Sequence, residues 1–472
     1  MKTNVAVFFG GRSVEHEISV ISALQAIHAF NADKYNVIPV YISKQGRWYT
    51  GDVLLNVRNY RDMGKLVKQA TEVYMRPEFG DYNLYRAEGN MWGKKAPVIA
   101  RLDVALPVLH GTNGEDGIFE GVLQTIGLPF AGCDVLASAN GMDKITMKMI
   151  LRASGVPVVD YVWFTDVEWR ANRDALIEKV EKELGYPVIV KPANLGSSVG
   201  IGKAANREEL AKALDNAERF SKRLIVEHMV GKLKEINCSV LGDAGNCQPS
   251  VCEEPVKTGD FLSYEDKYMG GGKGGSKQGM QASERRVPAD LPADVTARIQ
   301  KMACDTFRCL SCHGVSRVDV MIDEDNGNIY VNEINTIPGS LSFYLWEATG
   351  IPFTKLIDKL MELAFARKRA DELKTFSFDN NIFAMGGAMG AKGSKGTKFT
   401  PNVWFMIQSG QKLSKFKGVS SKVIPIIVLV VVVLLIYLWF RSWCKREDAR
   451  MEAMYGKKED RHKTGNKKKK TK

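Results

Sequence analysis

Three oxygen-bearing side chains, Asp319, Glu333 and Asn335, lie on either side of the tetrapeptide Asp325-Asn-Gly-Asn328. Asn-Gly between alternating apolar residues is a hairpin signature, so 315–322 and 329–334 read as its two strands. Side chains alternate along a strand, which puts Glu333 and Asn335 on one face, and the turn brings Asp319 opposite them. Hard oxygen ligands on one face suit Mg²⁺, which keeps its other positions for water and phosphate. The competing reading is a solvated hairpin face. Val318, Val320, Ile334 and Ile337 surround the three, and paired acids in a packed sheet need a cation, which favours the metal.

A second group could hold phosphate. Residues 191–202 read Lys-Pro-Ala-Asn-Leu-Gly-Ser-Ser-Val-Gly-Ile-Gly after a strand at 188–191. Gly196 and Gly200 let backbone N–H groups approach an anion, and Ser197 and Ser198 add donors. No Gly-Lys-Ser/Thr closes the loop, so it is not a Walker A sequence. Lys144 and Lys191 supply positive charge. A third group, Gly10-Gly11-Arg-Ser-Val-Glu15-His-Glu, ends the first strand, where a ligand meets the carboxyl edge of a parallel sheet. No GxGxxG follows, and Glu15 suits an ammonium rather than a pyrophosphate; an ordinary helix start is the alternative. His110-Gly-Thr-Asn-Gly-Glu-Asp-Gly117 is a similar loop after a later strand.

These groups need elements to position them. Strands at 5–9, 37–42 and 104–109, with a helix at 14–30, follow the βαβ pattern of a parallel, doubly wound domain. A helix at 143–153 opens the next region. It is followed by strands at 188–191 and 224–227, a helix at 208–218, and an antiparallel pair at 236–241 and 250–254. Helices at 295–310 and 353–368 complete the body. Residues 269–280 form a Gly- and Lys-rich loop, and 376–422 are linker-like.

The chain has 472 residues, 45% hydrophobic and 25% charged, which excludes a disordered or disulfide-stapled protein. The formal charge is +12, yet residues 374–472 hold 21 Lys/Arg against 6 Asp/Glu, leaving 45 against 48 in residues 1–373. A near-neutral body argues against a nucleic-acid partner.

The first apolar run is too short for a signal-peptide core, which puts the body in the cytoplasm. Residues 423–440 are 18 uncharged residues, nearly all Val, Ile or Leu. As a helix they would span roughly 27 Å at about 1.5 Å per residue, close to the hydrocarbon layer. A transmembrane helix at 423–440 with a basic tail at 441–472 is expected; a buried β-rich hairpin is the alternative. The 13 Lys/Arg of 441–472 favour a cytosolic C-terminus, whereas a single span from a cytosolic body places it outside. Cys309-Leu-Ser-Cys312-His313 matches a haem-attachment pattern, but ending a helix inside the body it reads as reduced thiols.

Taken in order, GGRSVEHEIS, HGTNGEDG, MDK, KPANLGSSVG, YEDKY, SRVDVMID and NEINTIPG resemble the D-alanine–D-alanine ligase family of ATP-grasp enzymes across residues 4–365. The resemblance implies an α/β fold of the α+β ATP-grasp type. Its parts are an N-terminal doubly wound α/β domain at 1–140 and two ATP-grasp subdomains at 141–228 and 229–370, which clamp ATP. A linker at 371–422 would follow. It implies that Glu15 anchors the first D-alanine's ammonium, with Ser197 and Tyr268 as companions and His110 as a neighbour. Lys144, Lys191 and Ser198 would hold ATP phosphates, and Lys267 the γ-phosphate. Glu227 would read adenine with the backbone after it, beside Phe261, and Glu235 would bind ribose. Asp319, Glu333 and Asn335 would hold two Mg²⁺ ions, with Mn²⁺ able to substitute. Arg317 and the Gly339 N–H would be oxyanion donors. A homodimer is implied as well.

The implied reaction begins with phosphorylation of a carboxylate, because hydroxide is a poor leaving group. The resulting acyl phosphate is attacked by the amine of a second D-alanine. One departure stands out: a Ser-Leu pair that holds the second substrate's carboxylate in the family is here Tyr344-Leu345. D-serine or D-lactate as second substrate therefore stays open, as does a membrane-tethered scaffold that binds nucleotide without ligating. The intact set of Glu15, Ser197, Arg317, Asp319, Glu333 and Asn335 argues against the scaffold.

Overall fold

An uncharged run from Val5 to Phe9 belongs in a core, and all five residues are fully buried in β1 (Thr3–Gly10). The computed structural model describes residues 2–87, 96–196, 199–255 and 285–377. β1 pairs in parallel with β2 (Tyr35–Ile42). The chain then adds β3 (Trp48–Thr50), β4 (Thr71–Tyr74), β5 (Asn83–Arg86) and β6 (Val98–Arg101), each antiparallel to its neighbour. β7 (Val104–Val108) returns to the free side of β1, again in parallel. The sheet order is β6-β5-β4-β3-β2-β1-β7. Only the β2-β1-β7 part has the parallel grammar expected for 1–140. The antiparallel extension was not foreseen because strands of three or four residues are too short to show a period.

Helices cover both faces of this sheet. The first, α1 (His16–Ala29), packs Val20, Ala23 and Leu24 with Val5, Val7 and Phe9. The short α2 (Met63–Gln69) precedes β4. On the other face α3 (Ile118–Ile126) packs Phe119, Leu123 and Ile126 with Ala6 and Phe8.

Two helices, α4 (Val135–Met142) and α5 (Lys144–Ala153), lead into a four-stranded layer. Asp143 caps α5 by accepting the Thr146 N–H at 2.8 Å, which fixes where Lys144 begins the helix. The layer comprises β8 (Tyr161–Thr165), α6 (Asp166–Ala171), α7 (Arg173–Glu183), β9 (Val188–Pro192), β10 (Gly202–Ala204), α8 (Arg207–Ala217) and β11 (Arg223–His228). Its strands run β10-β9-β11-β8, antiparallel throughout. Ile177, Val180, Leu210 and Leu214 of α7 and α8 pack against Val188, Val190, Leu224 and Val226. The expected strands and helix at 188–227 are present; β8, α6 and α7 carried no signal that was read.

The third sheet carries the chemistry. It contains β12 (Leu233–Gly242), β13 (Cys247–Pro255), β14 (Arg285–Arg286), β15 (Gly314–Asp323) and β16 (Asn328–Asn335), in the order β14-β13-β12-β15-β16. Ile236, Cys238, Val240, Val318, Val320 and Val331 turn one face onto Ile299, Ala303 and Phe307 of α9 (Ala293–Cys309). Alternation then commits 235, 237, 317, 319, 333 and 335 to the other face. The expected hairpin is there, with one irregularity: Asp319 pairs with Glu333 but Val320 pairs with Val331. Asn332 is therefore the extra residue of a β-bulge. The bulge lets Val331 face the core while Glu333 faces the site.

After the hairpin come a 3-10 turn (Gly339–Ser342), α10 (Phe343–Ala348) and α11 (Phe353–Glu372). Leu356, Ile357 and Leu360 of α11 join the core under the first sheet. The Cys-Leu-Ser-Cys-His stretch is structural: Cys309 ends α9, and Cys312 is buried. The seven cysteines among the described residues are free thiols. Among the described residues no helix is long and apolar enough to cross a membrane. The linker expected from 371 starts later, because the last helix runs to Glu372; the loop at 269–280, residues 378–422 of that linker, the run at 423–440 and the tail at 441–472 lie outside the described residues.

Candidate active site

Cross-strand register lines up four polar side chains in one row: Glu253 on β13, Asn237 on β12, Asp319 on β15 and Glu333 on β16. The next row, two residues along, holds Ser239, Arg317 and Asn335. Arg317 grips Asp319 through two hydrogen bonds, Nε to Oδ1 at 2.7 Å and Nη2 to Oδ2 at 2.8 Å. Asn335 donates its amide to Asp319 Oδ2 at 3.1 Å. Lys144 Nζ lies 3.0 Å from Glu333 Oε2. Burial works against the Arg317 charge, but the Asp319 carboxylate outweighs it and holds the guanidinium well above its ordinary value.

Asp319, Glu333 and Asn335 thus share the face the sequence assigned them. Two carboxylates and a carboxamide oxygen fit a hard divalent cation, with positions left for water and phosphate. Among the described residues no cluster of three or more His, Cys, Asp or Glu is arranged for a metal, so a cation here would use the Asn335 amide oxygen beside the two carboxylates. In the protein alone, Arg317 and Lys144 are the cations that balance the two acids.

The lysines come from the neighbouring layer. Lys144 opens α5, and its Nζ also donates to the Leu195 carbonyl in the Gly/Ser loop at 3.1 Å. Burial works against its charge, and Glu333, with Glu227 and Glu15 further off, overcomes this and raises the amine above its ordinary value. Lys191 of β9 donates to Glu227 Oε2 at 2.7 Å and to Asn332 Oδ1 at 3.0 Å. The bulge residue thus ties the third sheet to the lysine layer.

Glu227 has a second buried partner that sequence reading missed. Lys148, fully buried one turn after Lys144, sits 3.3 Å from Glu227 Oε1. The two atoms are close enough to attract, but they lack hydrogen-bond alignment. Burial alone would raise the Glu227 carboxyl, and Lys148 and Lys191 reverse this and hold it below its usual range. Burial pulls Lys148 downward. The Glu227 carboxylate therefore points at lysines, and the N–H groups of His228 and Met229 are bonded to Asp160 and Pro187 carbonyls. Glu235 lies half-buried on β12.

The first-strand loop meets both other loops at Glu15. A Cβ on Gly111 would come within 2.5 Å of Glu15 Oε2, and one on Gly196 within 2.9 Å. A side chain at either position would push the Glu15 carboxylate aside, and Gly111 also holds a left-handed φ of +70° that favours glycine. His110 is buried; its Nδ1 lies 2.9 Å from the Ile337 carbonyl and its Nε2 2.9 Å from Ser22 Oγ. A carbonyl only accepts, so Nδ1 carries the proton and Nε2 accepts from Ser22. Ser22 in turn accepts the Ser340 N–H at 2.9 Å. Burial lowers the His110 pKa to about 4, so the ring is neutral.

Glu115, in the same loop, was not singled out from the sequence. It is buried and accepts the Ile337 N–H at 3.1 Å and the Gly111 N–H at 3.3 Å. Burial, then Glu15, raises it to about 8. Its function is to pin the loop to residues 336–337.

Around Gly339 there is open space: a Cβ there would meet nothing within 4 Å. The turn after it holds Ser340, Leu341 and Ser342 at φ of 52°, 52° and 50°, a left-handed path that costs non-glycine residues about 1–2 kcal/mol each. It delivers Tyr344 to the sheet, where the phenol donates to Glu253 Oε2 at 2.8 Å. Leu345 is fully buried and contributes its side chain to packing. Ser197, Ser198, Phe261, Lys267 and Tyr268 lie outside the described residues.

The chain resembles known proteins along most of the described length. Residues 4–133 match the family model "D-ala D-ala ligase N-terminus" and residues 150–362 the model "D-ala D-ala ligase C-terminus". It is 39% identical over 379 residues to a D-alanine--D-alanine ligase of Thermosipho melanesiensis, covering 80% of this chain and 98% of the relative. It is 41% identical over 376 residues to one of Heliobacterium modesticaldum, covering 78% and 96%. Among solved structures it is similar to the D-alanine-D-alanine ligase from Coxiella burnetii, with a TM-score of 0.63, 31% identity and coverage of 79% and 96%. It is also similar to the VanG D-Ala:D-Ser ligase from Enterococcus faecalis, with a TM-score of 0.65, 30% identity and coverage of 77% and 100%.

Proposed function

Because this chain belongs to the D-alanine–D-alanine ligase family, we propose that it condenses two D-alanines to D-alanyl-D-alanine, converting ATP to ADP and phosphate, for peptidoglycan precursor synthesis. The mixed α/β fold matches ligase structures of the ATP-grasp type, and the family uses ATP and a divalent metal.

One observation carries the mechanism: Lys144 reaches from the Leu195 carbonyl of the Gly/Ser loop to the Glu333 carboxylate. A lysine and a row of acids facing each other across a loop with anion-binding character is the arrangement a metal–nucleotide phosphate requires. Glu15 takes the first D-alanine's ammonium, with Ser197, Tyr268 and His110 around it. Lys144, Lys191, Ser198 and Lys267 hold phosphates, while Phe261, Glu235 and the backbone after Glu227 serve the nucleoside. Asp319, Glu333 and Asn335 would hold two Mg²⁺ ions, or Mn²⁺ in their place, which would supply neutralising charge to the phosphoryl group.

The first carboxylate takes the γ-phosphoryl group and ADP leaves. The second amino acid's free amine then forms the C–N bond, and phosphate departs with the electron pair of the broken C–O bond and, in the products, the proton the amine gives up. Arg317 and the Gly339 N–H stabilise the oxyanion of this step. Tyr344 and Leu345 flank the second substrate. In this reading the body divides at 1–140, 141–228 and 229–370, with ATP held between the last two. A homodimer is expected from the family, and the apolar run at 423–440 supports a membrane anchor on a cytoplasmic body.

The test is phosphate release from ATP by the purified chain, with D-alanine, D-serine or D-lactate offered beside D-alanine. Dipeptide formed with D-alanine alone is the expected result. Faster turnover with D-serine would move the reading toward the VanG-like activity, and ATP binding without release toward a scaffold.

A further inference from the structure

The second amino acid brings a carboxylate one carbon away from its amine, and with tyrosine at position 344 in place of the family's serine, a cation beside the oxyanion donor is suited to hold it. Among the described residues most nearby cations are occupied: Lys144 by Glu333, Lys148 and Lys191 by Glu227, and Arg317 by a two-point grip on Asp319. Arg285 is held differently. Its closest approach to Glu253 is 3.5 Å, from Nε to Oε1, and its side chain is 35% exposed. The guanidinium lies over the Tyr344 ring, 4.7 Å from the centroid; burial raises the Tyr344 phenol above its ordinary value, and the Arg317 and Arg285 charges oppose this. Glu253, only 2% exposed, is already satisfied by the Tyr344 hydroxyl at 2.8 Å and the Asn237 amide at 3.1 Å.

We propose that Arg285 binds the carboxylate of the second amino acid, and that Tyr344 and Glu253 are positioning residues that hold its guanidinium plane. A planar fork of N–H donors matches a carboxylate in two-point contact, and a ring face beneath it orients the fork. Tyr344 replaces the serine that the family resemblance assigns to this contact, and the Arg285–Tyr344 stack supplies the function that serine would have performed. The inference rests on the ligase reading and names the group that recognises its acceptor.

The full chain is tested with D-alanine as donor and either D-alanine or D-alaninamide, which lacks the carboxylate, as acceptor. In R285Q the acceptor KM rises between about 10- and 100-fold, the range for losing a hydrogen bond to a charged group. The KM values for ATP and the first D-alanine stay unchanged. The preference for D-alanine over D-alaninamide collapses in R285Q, survives in part in R285K, and weakens in Y344F, which keeps the ring but loses the tie to Glu253. A chain that ligates while R285Q and Y344F keep both the acceptor KM and the preference overturns this inference alone. A wild-type chain that forms no product with any acceptor overturns the ligase reading beneath it.

Discussion

Arg317 and His110 show how single residues acquire function from their partners. Arg317 spends two donors on Asp319 in the protein alone, which fixes its plane in advance of any oxyanion. Losing one such donor typically costs about 10²–10³ in rate, so Arg317→Ala is expected to lower kcat by at least that factor; near-normal turnover would remove it from the role. His110 makes a pH prediction. Its folded pKa, about 4, lies below the ordinary 6.5, so between these values the unfolded chain binds more protons. Stability from this group is complete above about 6.5 and is lost as pH falls toward 4. Glu115 has the opposite sign: raised to about 8, it loses stability as pH rises from about 4.5 to 8. Urea midpoints measured from pH 4 to 8 should therefore fall off on both sides. His110→Gln should flatten the acid limb and Glu115→Gln the alkaline limb; unchanged limbs would contradict the burial argument.

At the scale of elements, α5, β9, β11 and the bulged β16 meet at one buried charge cluster. The Asn-Gly turn and the alternating acids made the β15–β16 hairpin legible. The bulge at Asn332 left no trace in composition, because it is decided by which of Val331 and Asn332 the core accepts. Lys148 was missed for a related reason. One helical turn after Lys144 it looks like an ordinary surface lysine, and only the packing of α5 against β11 turns it inward. Glu227→Gln would leave Lys148 and Lys191 buried without their counter-charge, a loss of about 3–5 kcal/mol. Chemical denaturation of the variant should show an unfolding free energy lower by that amount, and an unchanged value would mean that water reaches the cluster.

At the scale of the molecule, Met1–Phe376 forms one unit, and the family models end at residue 362. A chain ending at 376 should therefore keep full phosphate release. The intact chain should sediment with membranes from lysed cells while the shortened one stays in the supernatant. Loss of activity on shortening would show that the remainder supports folding, and equal partitioning would remove the anchor.

Sequence alone determined the β15–β16 hairpin with its oxygen-bearing face and the βαβ start, by local rules of alternation and turn chemistry. The family came from the resemblance of seven motifs in order. The sequence did not reveal the row Glu253–Asn237–Asp319–Glu333, the inward Lys148, the clamp at Glu115 or the Arg285–Tyr344 stack. Each of those joins residues from strands or loops far apart in the chain, and such neighbours exist only once strand order and register are set. Local residue patterns can specify which groups a segment offers, but cross-strand register and burial decide which of them meet and what charge they keep.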